Sequence, residues 1–347
     1  MPNFVRPNVR AMAGYVPGEQ PRGGAYIKLN TNENPYPPSP RVFEAIQSAL
    51  TGDCLRKYPD PLGNTFRQAA ARVHQVDPEC ILIGNGSDDI LTIVTRAFVP
   101  EGGLVVSMTP SYILYRTLAD LQNARFQALP YTSNWGLPRP WPVYNAHLTF
   151  LTSPNSPSGT ALASAEVESL IQEASGPVVL DEAYAAFADS DNLALAKHPH
   201  VIVARSMSKA YSLAGMRFGY AVADAALVRE LVKVKDSYNC DVLSLAAATA
   251  AIEDEPYLQA TRAKVLATRA RMAVELTRLG FDVCPSQANF LWCRRADRPV
   301  KPIYEELKLR MILVRYMNYE GYGDGLRISV GSDSEIDCLL EQTSKIL

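Results

Sequence analysis

Short apolar runs alternate with segments of helical periodicity through most of this 347-residue chain. Apolar runs bounded by turn residues are typical of buried strands, and strands separated by helices are typical of a mainly parallel sheet covered on both faces. We therefore expect an α/β fold in which the larger sheet lies between helices. The predicted strands of that sheet are residues 81–84, 104–108, 147–152, 177–181, 201–205 and 218–223.

The chain is longer than the ~250–300 residues at which a single core usually stops growing, so two lobes are expected. Residues 1–30 are a polar, Pro- and Gly-rich arm, residues 31–240 a large domain, and residues 241–347 a smaller α+β domain. A regular apolar pattern over residues 255–280 predicts a long helix that joins the lobes. The strands predicted for the small domain are 289–293, 312–316 and 326–330.

Composition excludes several classes of protein. A formal net charge of −2 gives no basic surface for nucleic acid. No apolar stretch approaches the ~20 residues of a membrane span, and the start lacks the core of a signal peptide. The six cysteines form no Cys-x-x-Cys pair and the four histidines show no metal spacing, so we expect reduced thiols, no metal and a cytoplasmic location.

One lysine lies in an unusual place between two apolar runs. Ser206 and Ser208 lie just before Lys209 in the sequence, and Arg217 lies eight residues after it. A partly desolvated amine loses its proton more easily, while hydroxyls and a guanidinium suit a phosphate. This combination predicts pyridoxal phosphate bound to Lys209 as a Schiff base. The ordinary alternative is a solvated surface lysine, which is the commoner meaning of Ser-x-Ser-Lys alone.

Polar side chains at three other strand ends support a common pocket, because ligands of α/β sheets bind at the carboxyl ends of strands. Asp181 ends a strand and can pair with a protonated pyridine nitrogen, and Tyr184 can reach the ring oxygen. Asn155 follows another strand. Ser87 and Asp88 open a helix after a glycine turn, where backbone amides bind anions. Each feature alone has an ordinary explanation, such as a helix cap or a loop.

Seven motifs, in order, resemble those of the fold-type I pyridoxal-phosphate aminotransferases, and among them the histidinol-phosphate aminotransferases. The resemblance covers nearly the whole chain and implies an aspartate-aminotransferase-like fold with a mainly parallel seven-stranded sheet. The motifs are Leu29 to Pro38 (LNTNENPYPP), Lys57 to Pro61 (KYPDP), the turn at Gly86, Asn155, Asp181 with Tyr184, Ser206 to Arg217, and Gly325 to Gly331 (GLRISVG).

The resemblance also implies residue roles. Lys209 would hold the cofactor and later carry a proton between the substrate Cα and the cofactor C4′. Tyr112 would stack on the cofactor ring, with a core tyrosine as its ordinary alternative, and Tyr58 would reach the phosphate of the other subunit in a homodimer. The remaining cofactor contacts implied are Ser87, Asp88, Ser206, Ser208 and Arg217 at the phosphate, Asp181 at the ring nitrogen, and Asn155 with Tyr184 at the ring oxygen.

Substrate choice rests on further matches to that family. Arg327 would grip a carboxylate, Arg315 the phosphate of the substrate, and Tyr15 and Asn155 would complete the substrate site. Arg315 otherwise pairs with a surface carboxylate, and Tyr15 otherwise packs the arm. The implied reaction is transamination between L-histidinol phosphate and 2-oxoglutarate in histidine biosynthesis. The chain departs from the family at residues 153–159, SPNSPSG for the usual NPNNPTG, and at Ser206, which is usually threonine.

Three other functions fit the same motifs. A threonine-phosphate decarboxylase also combines this cofactor with a phosphate-bearing amino acid. An aromatic or branched-chain aminotransferase of broad specificity would not need Arg315. A non-catalytic binding protein with the same fold is the third, and intact Lys209, Asp181 and Arg327 argue against it.

Overall fold

The computed structural model describes residues 4–14, 18–20 and 23–347. The strands in these ranges are β1 (Ile27–Lys28), β2 (Ile81–Gly84), β3 (Leu104–Thr109), β4 (Arg125–Pro130), β5 (Leu148–Thr152), β6 (Val178–Asp181), β7 (Val201–Ser206), β8 (Gly219–Ala223), β9 (Asp282–Val283), β10 (Phe290–Arg294), β11 (Ile312–Leu313), β12 (Arg315–Tyr319) and β13 (Gly323–Ser329). The α-helices are α1 (Pro7–Ala11), α2 (Pro40–Ala49), α3 (Gly52–Leu55), α4 (Asn64–His74), α5 (Ser87–Phe98), α6 (Leu114–Leu121), α7 (Ser164–Glu173), α8 (Ala225–Val232), α9 (Val242–Glu253), α10 (Glu255–Arg278), α11 (Lys301–Leu309) and α12 (Asp333–Ile346). Short 3₁₀ helices lie at Pro78–Cys80, Ala185–Phe187, Leu193–Lys197 and Ala214–Met216.

The largest sheet in the described part of the chain has seven strands in the order β2-β8-β7-β6-β5-β3-β4. Strand β8 runs opposite to the other six strands of this sheet, and all other neighbouring pairs are parallel. The prediction of a mainly parallel sheet is therefore confirmed. The central strands are buried along their length, as expected for strands covered on both faces. The edge strand β4 was missed, because most of its residues face solvent and it contains no apolar run.

Helices cover both faces of this sheet. Successive residues of a strand point to opposite faces, and in β2 Ile81 and Ile83 belong to one apolar cluster while Leu82 belongs to the other. Helices α4, α7 and α9 supply the first cluster, and α5, α6 and α8 supply the second. The sheet is thus a rigid central layer whose carboxyl edge is free to carry a site.

A second sheet, with the order β12-β13-β10-β9, is antiparallel and packs on α10, α11 and α12. The single strand predicted over residues 312–316 is wrong, because the chain switches partners within it. Strand β11 pairs in parallel with β1, whereas β12 pairs with β13. The first strand of the chain is therefore attached to the small lobe, and Leu29 lies in the same apolar cluster as α10.

The predicted division into residues 1–30, 31–240 and 241–347 remains a prediction. Helix α9 contributes Ala247 to the apolar cluster of the large sheet, and the cluster of the small sheet includes Leu258 of α10. Long α10 lies where the predicted connecting helix was placed. None of the described helices is long and apolar enough to cross a membrane.

Candidate active site

The carboxyl ends of three adjacent parallel strands form the floor of the site. Thr152 ends β5 and stands opposite Asp181, which ends β6. Ser206 ends the next strand, β7, and its hydroxyl oxygen accepts a hydrogen bond from the backbone N–H of Ser208 at 3.2 Å. The parallel register brings these polar side chains to one edge of the sheet, as the sequence predicts.

Asp181 is a buried carboxylate with neutral hydrogen-bond donors. The hydroxyl of Tyr115 donates to Oδ2 at 2.7 Å, and the backbone N–H of Ala183 donates to Oδ1 at 3.2 Å. Burial raises the pKa of Asp181 to about 6, against the opposing effect of these donors. A protonated ring nitrogen at this position would supply the missing positive charge, so the carboxylate fits a pyridine cofactor.

Lys209 follows β7 and reaches toward the N-terminal segment. Its Nζ donates to the carbonyl oxygen of Thr31 at 3.0 Å and lies 5.9 Å from the ring centroid of Tyr184. Desolvation by the surrounding protein lowers the pKa of Lys209 to about 8, and the positive charge of Arg327 acts in the same direction. A lysine with this pKa has a substantial fraction of free amine near neutral pH, as a nucleophile requires.

An anion site lies where α5 begins. Gly86 precedes the helix with φ of 84°, and a Cβ there would lie 2.7 Å from Nη2 of Arg217. Only glycine permits that approach. Arg217 Nη1 donates to Ser208 Oγ at 3.3 Å, and its Nη2 lies 3.8 Å from Asp88. The helix N-terminus at Ser87, the guanidinium and the hydroxyl together fit a phosphate group.

Tyr112 lies between this anion site and the partner of Asp181. Its hydroxyl donates to Asp88 Oδ1 at 3.2 Å, and its ring meets that of Tyr115 edge to face with centroids 5.7 Å apart. Tyr112 therefore contacts residues at both ends of the predicted cofactor site: Asp88 near the predicted phosphate, and Tyr115, the partner of Asp181, near the predicted ring nitrogen. Stacking on the cofactor stays a prediction for Tyr112.

Asn155 is buried in the turn that follows β5. Its Nδ2 donates to the carbonyl of Pro110 at 3.1 Å and to Ser158 Oγ at 3.0 Å, and its Oδ1 accepts from Ser111 at 2.8 Å. These bonds hold the shape of the turn. The neighbouring Ser156 accepts a hydrogen bond from Arg327, while a bond from Asn155 to the cofactor ring stays a prediction.

Two arginines stand directly opposite each other on the small sheet. Arg315 of β12 is the register partner of Arg327 of β13. Arg327 donates to Ser156 Oγ at 2.9 Å and to the carbonyl of Asn30 at 3.0 Å, and its guanidinium lies over the ring of Phe290. Register partners point to the same face of a sheet, so the two guanidinium groups give this face a positive charge that suits an anionic ligand.

Two predicted residues remain. Tyr58 is 80% exposed, and its ring stacks on that of Tyr238 with centroids 4.4 Å apart. Tyr15 lies outside the described residues.

The sequence reasoning missed several residues that contact functional side chains, among them Asn30, Thr31, Asn32, Tyr115 and Ser156. Asn30, Thr31 and Asn32 belong to the opening motif but were given no role. Their signal was three consecutive polar residues directly after the alternating run Ile27-Lys28-Leu29. Tyr115, the partner of Asp181, follows Tyr112 by three residues in a helical segment, a spacing that puts two side chains on one face of a helix.

Comparison with known proteins gives full-length matches. The profile of the family "Aminotransferase class I and II" matches residues 25–342. The chain is 49% identical to the histidinol-phosphate aminotransferase of Rhodopirellula baltica, over 96% of this chain and 94% of that protein. It is 46% identical to histidinol-phosphate aminotransferase 1 of Nostoc sp., over 100% and 99%. The histidinol-phosphate aminotransferase of Sinorhizobium meliloti, solved in complex with pyridoxal 5′-phosphate, is similar in structure with a TM-score of 0.88, 25% identity, and 100% and 98% coverage.

Proposed function

The chain belongs to the class I and II aminotransferases, and we propose that it transaminates L-histidinol phosphate with 2-oxoglutarate in histidine biosynthesis. The products are imidazole-acetol phosphate and glutamate. The observation that carries this proposal is the pair of opposed arginines, Arg315 and Arg327, of which Arg327 is close enough to the Lys209 amine to lower its pKa. The 49% and 46% identical relatives named for this activity support it. The fold is fold type I, as predicted.

The cofactor is pyridoxal phosphate, and the site has a group for each part of it. Bound there, the cofactor supplies a ring that withdraws electrons from the substrate Cα. We propose that Asp181 holds the ring nitrogen and Tyr184 the ring oxygen, and that Lys209 binds the cofactor covalently. The phosphate is assigned to Ser87, Asp88, Ser206, Ser208 and Arg217.

The chemical work of the chain falls mainly on Lys209. When not bound to the cofactor, its amine would lie within the site and would take a proton from the substrate Cα. A pKa of about 8 makes the amine able both to accept that proton and to return it at the cofactor C4′ near neutral pH. Tyr184, whose ring lies beside Lys209, donates its hydroxyl proton to the ring oxygen.

Substrate binding is assigned to the small sheet. Arg327 binds the carboxylate of glutamate or 2-oxoglutarate with a planar fork of donors, and Ser156 and the carbonyl of Asn30 hold that guanidinium in place. Arg315, one strand away, binds the phosphate of L-histidinol phosphate. A site built in this way accepts two substrates that share an amino or oxo group and differ in their anionic group.

The test is a half-reaction followed by absorbance. The protein is loaded with pyridoxal phosphate, and L-histidinol phosphate is added without an oxo acid. We expect the band of the lysine-bound cofactor to be replaced by that of its amine form, and 2-oxoglutarate to restore it. Carbon dioxide release from threonine phosphate, or conversion by aromatic amino acids but not by L-histidinol phosphate, would contradict the proposal.

We also propose a homodimer in which Tyr58 reaches the cofactor phosphate of the other subunit. The support is a group of exposed apolar side chains near Tyr58 in sequence, since contiguous apolar surface favours association. The stack of Tyr58 on Tyr238 orders two of these rings. The other exposed apolar side chains in this stretch are Phe43, Leu50 and Leu55.

Mixed dimers test this arrangement. Lys209→Ala and Tyr58→Ala variants, each of low activity alone, are unfolded together and refolded as a mixture. If Tyr58 acts across the interface, one site of each mixed dimer has both residues and activity returns. A mixture no more active than its parents, or a monomer by sedimentation, would contradict the proposal.

We propose that the enzyme works in the cytoplasm. The six cysteines are free thiols, as expected in a reducing compartment. Fractionation of the source cells followed by activity assay tests the location, and activity confined to another compartment would contradict it.

A further inference from the structure

Three consecutive residues after β1 reach three different functional side chains. The segment, Asn30–Asn32, passes from the small lobe across the site. The bonds are Arg327 Nη2 to Asn30 O at 3.0 Å, Lys209 Nζ to Thr31 O at 3.0 Å, and Asn32 Nδ2 to Tyr184 Oη at 2.9 Å. The first two use backbone carbonyls, which any residue supplies. The third uses the side chain of Asn32 and therefore depends on its identity.

The orientation of the Asn32 amide is set by Ser329. The backbone N–H of Asn32 donates to Ser329 Oγ at 2.8 Å, and Ser329 Oγ donates to Asn32 Oδ1 at 3.1 Å. Because the serine oxygen already accepts an N–H, its own proton is available for the amide oxygen. The amide is thus turned with its oxygen toward Ser329 and its NH2 toward Tyr184. Asn289 fixes the backbone by donating to Asn32 O at 3.0 Å, and Asn32 is 1% exposed.

An amide NH2 only donates hydrogen bonds, whereas a phenol both donates and accepts. In its bond with Asn32, Tyr184 must therefore be the acceptor, so this bond does not use the phenol's single proton. We propose that Asn32 is a positioning residue that keeps the hydroxyl proton of Tyr184 directed to the ring oxygen of pyridoxal phosphate. This inference rests on the proposed function and assigns a part of the same site to a residue outside the contacts predicted from sequence.

The backbone at Asn32 decides which substitutions are informative. Its φ is 56°, in the left-handed region that asparagine and aspartate tolerate better than other side chains. Asn32→Asp keeps the shape and an oxygen for Ser329, but it places an acceptor beside Tyr184 and draws the phenol proton away from the cofactor. Asn32→Ala removes the bond without substituting an acceptor.

The experiment is a pH titration of the absorbance of the lysine-bound cofactor in the holoenzyme. A hydrogen bond donated by Tyr184 stabilises the negative charge of the ring oxygen. The nitrogen that joins Lys209 to the cofactor then holds its own proton less tightly. Loss of that donation raises the titration midpoint. We expect Asn32→Asp to raise it by about one pH unit, the equivalent of one hydrogen bond, and Tyr184→Phe to raise it at least as far. An Asn32→Asp midpoint equal to wild type, with Tyr184→Phe shifted, overturns the inference.

Asn32→Ala, alone and combined with Tyr184→Phe, gives a double-mutant cycle, and this test does not require Asn32→Asp to fold. In wild type it raises the midpoint, and in Tyr184→Phe it adds no further shift, because the group through which it acts is gone. An equal shift in both backgrounds overturns the inference. The matched control is Asn289→Ala, which loosens the same backbone but leaves the amide facing Tyr184. Its midpoint stays at the wild-type value, and a shift as large as that of Asn32→Ala would mean that backbone anchoring is responsible.

Failure of the proposed function gives a different result. A wild-type protein that forms no lysine-bound band and takes up no cofactor label on borohydride reduction overturns that function together with this inference. A normal wild-type band with an unmoved midpoint in Asn32→Asp overturns this inference alone.

Discussion

The large sheet and the small sheet contribute to the site in opposite ways. At the edge of the large sheet, polar groups already bond to one another, as in the contacts that Tyr115 makes to Asp181 and to Thr152. On the small sheet, Arg315 and Arg327 stand opposite each other with like charges. The first region is organised by hydrogen bonds within the large sheet, whereas the second places two positive charges side by side where the proposed substrates would bring their anionic groups. A cofactor that stays bound suits the first, and substrates that exchange suit the second.

The largest effect is expected from removal of the amine at the large sheet. Lys209→Ala should lower kcat by about 10⁴-fold or more, since it removes both the covalent link and the proton carrier. Cofactor should still bind, because the anion site of Ser208 and Arg217 is intact. Steady-state kinetics and cofactor content after gel filtration measure both. Turnover near wild type would remove Lys209 from the mechanism.

The second prediction concerns the buried carboxylate in cofactor-free protein. The pKa of Asp181 is about 6 in the fold against 3.8 as its unperturbed value, so the folded state binds the proton more tightly than the unfolded chain. The unfolding free energy contributed by this group is therefore highest below pH 4 and falls by about 3 kcal/mol as the pH rises through 6.

Asp181→Asn is the matched comparison for that pH dependence, because the amide keeps the size and does not titrate. Urea unfolding of both proteins at pH 4 and pH 7 should give a difference that changes by roughly 2.5 kcal/mol between the two values. Parallel pH profiles for the two proteins would show that burial does not raise the pKa of Asp181 in the folded protein.

On the small sheet, Arg327→Gln should lower kcat/KM by about 10²-fold for glutamate, since the neutral amide loses the charge-assisted fork to its carboxylate, and by less for L-histidinol phosphate, which has no carboxylate. Affinity for pyridoxal phosphate should change little, because Arg327 belongs to the other region. Kinetics with each substrate and a cofactor titration measure the split. A loss confined to cofactor binding would contradict the separation of the two regions.

The smallest expected effect is at the second arginine. Arg315→Gln should lower kcat/KM for L-histidinol phosphate by about 10-fold and leave the glutamate half-reaction near wild type. Single-turnover rates with each substrate give the comparison. Equal losses for both substrates would mean that the two arginines bind the same anionic group.

Much of the fold was predictable because buried strands have a simple signature. The β2 and β7 runs were placed within a residue of their observed ends, and the strand-end positions of Asp181 and Lys209 followed from them. Strand β4 was missed because it lies at an exposed edge, and the break between β11 and β12 because an apolar run does not show which partner it pairs with.

The missed site residues share a physical cause. Asn32 meets Tyr184 across 152 positions of sequence, and Ser156 meets Arg327 across 171. Local patterns predict which face of an element is buried, but a specific polar bond between distant segments depends on how two lobes are placed. Asn155 shows the same limit, since the sequence motif places it after β5 but does not show that its amide bonds to Pro110 and Ser158.

Strand β1 pairs with β11 near the end of the chain, so the segment after β1, which contains Asn32, can take its final place only late in synthesis. Asn32 is synthesised 297 residues before Ser329, the residue that turns its amide. At about 5–20 residues per second, roughly 15–60 s separate the two on the ribosome. The strand ends that carry Asp181 and Lys209 can assemble in that interval. Ser329 can turn the amide of Asn32 toward Tyr184 only after the last strand has emerged, so a nascent chain can form the strand ends proposed to hold the cofactor before Asn32 is held in place.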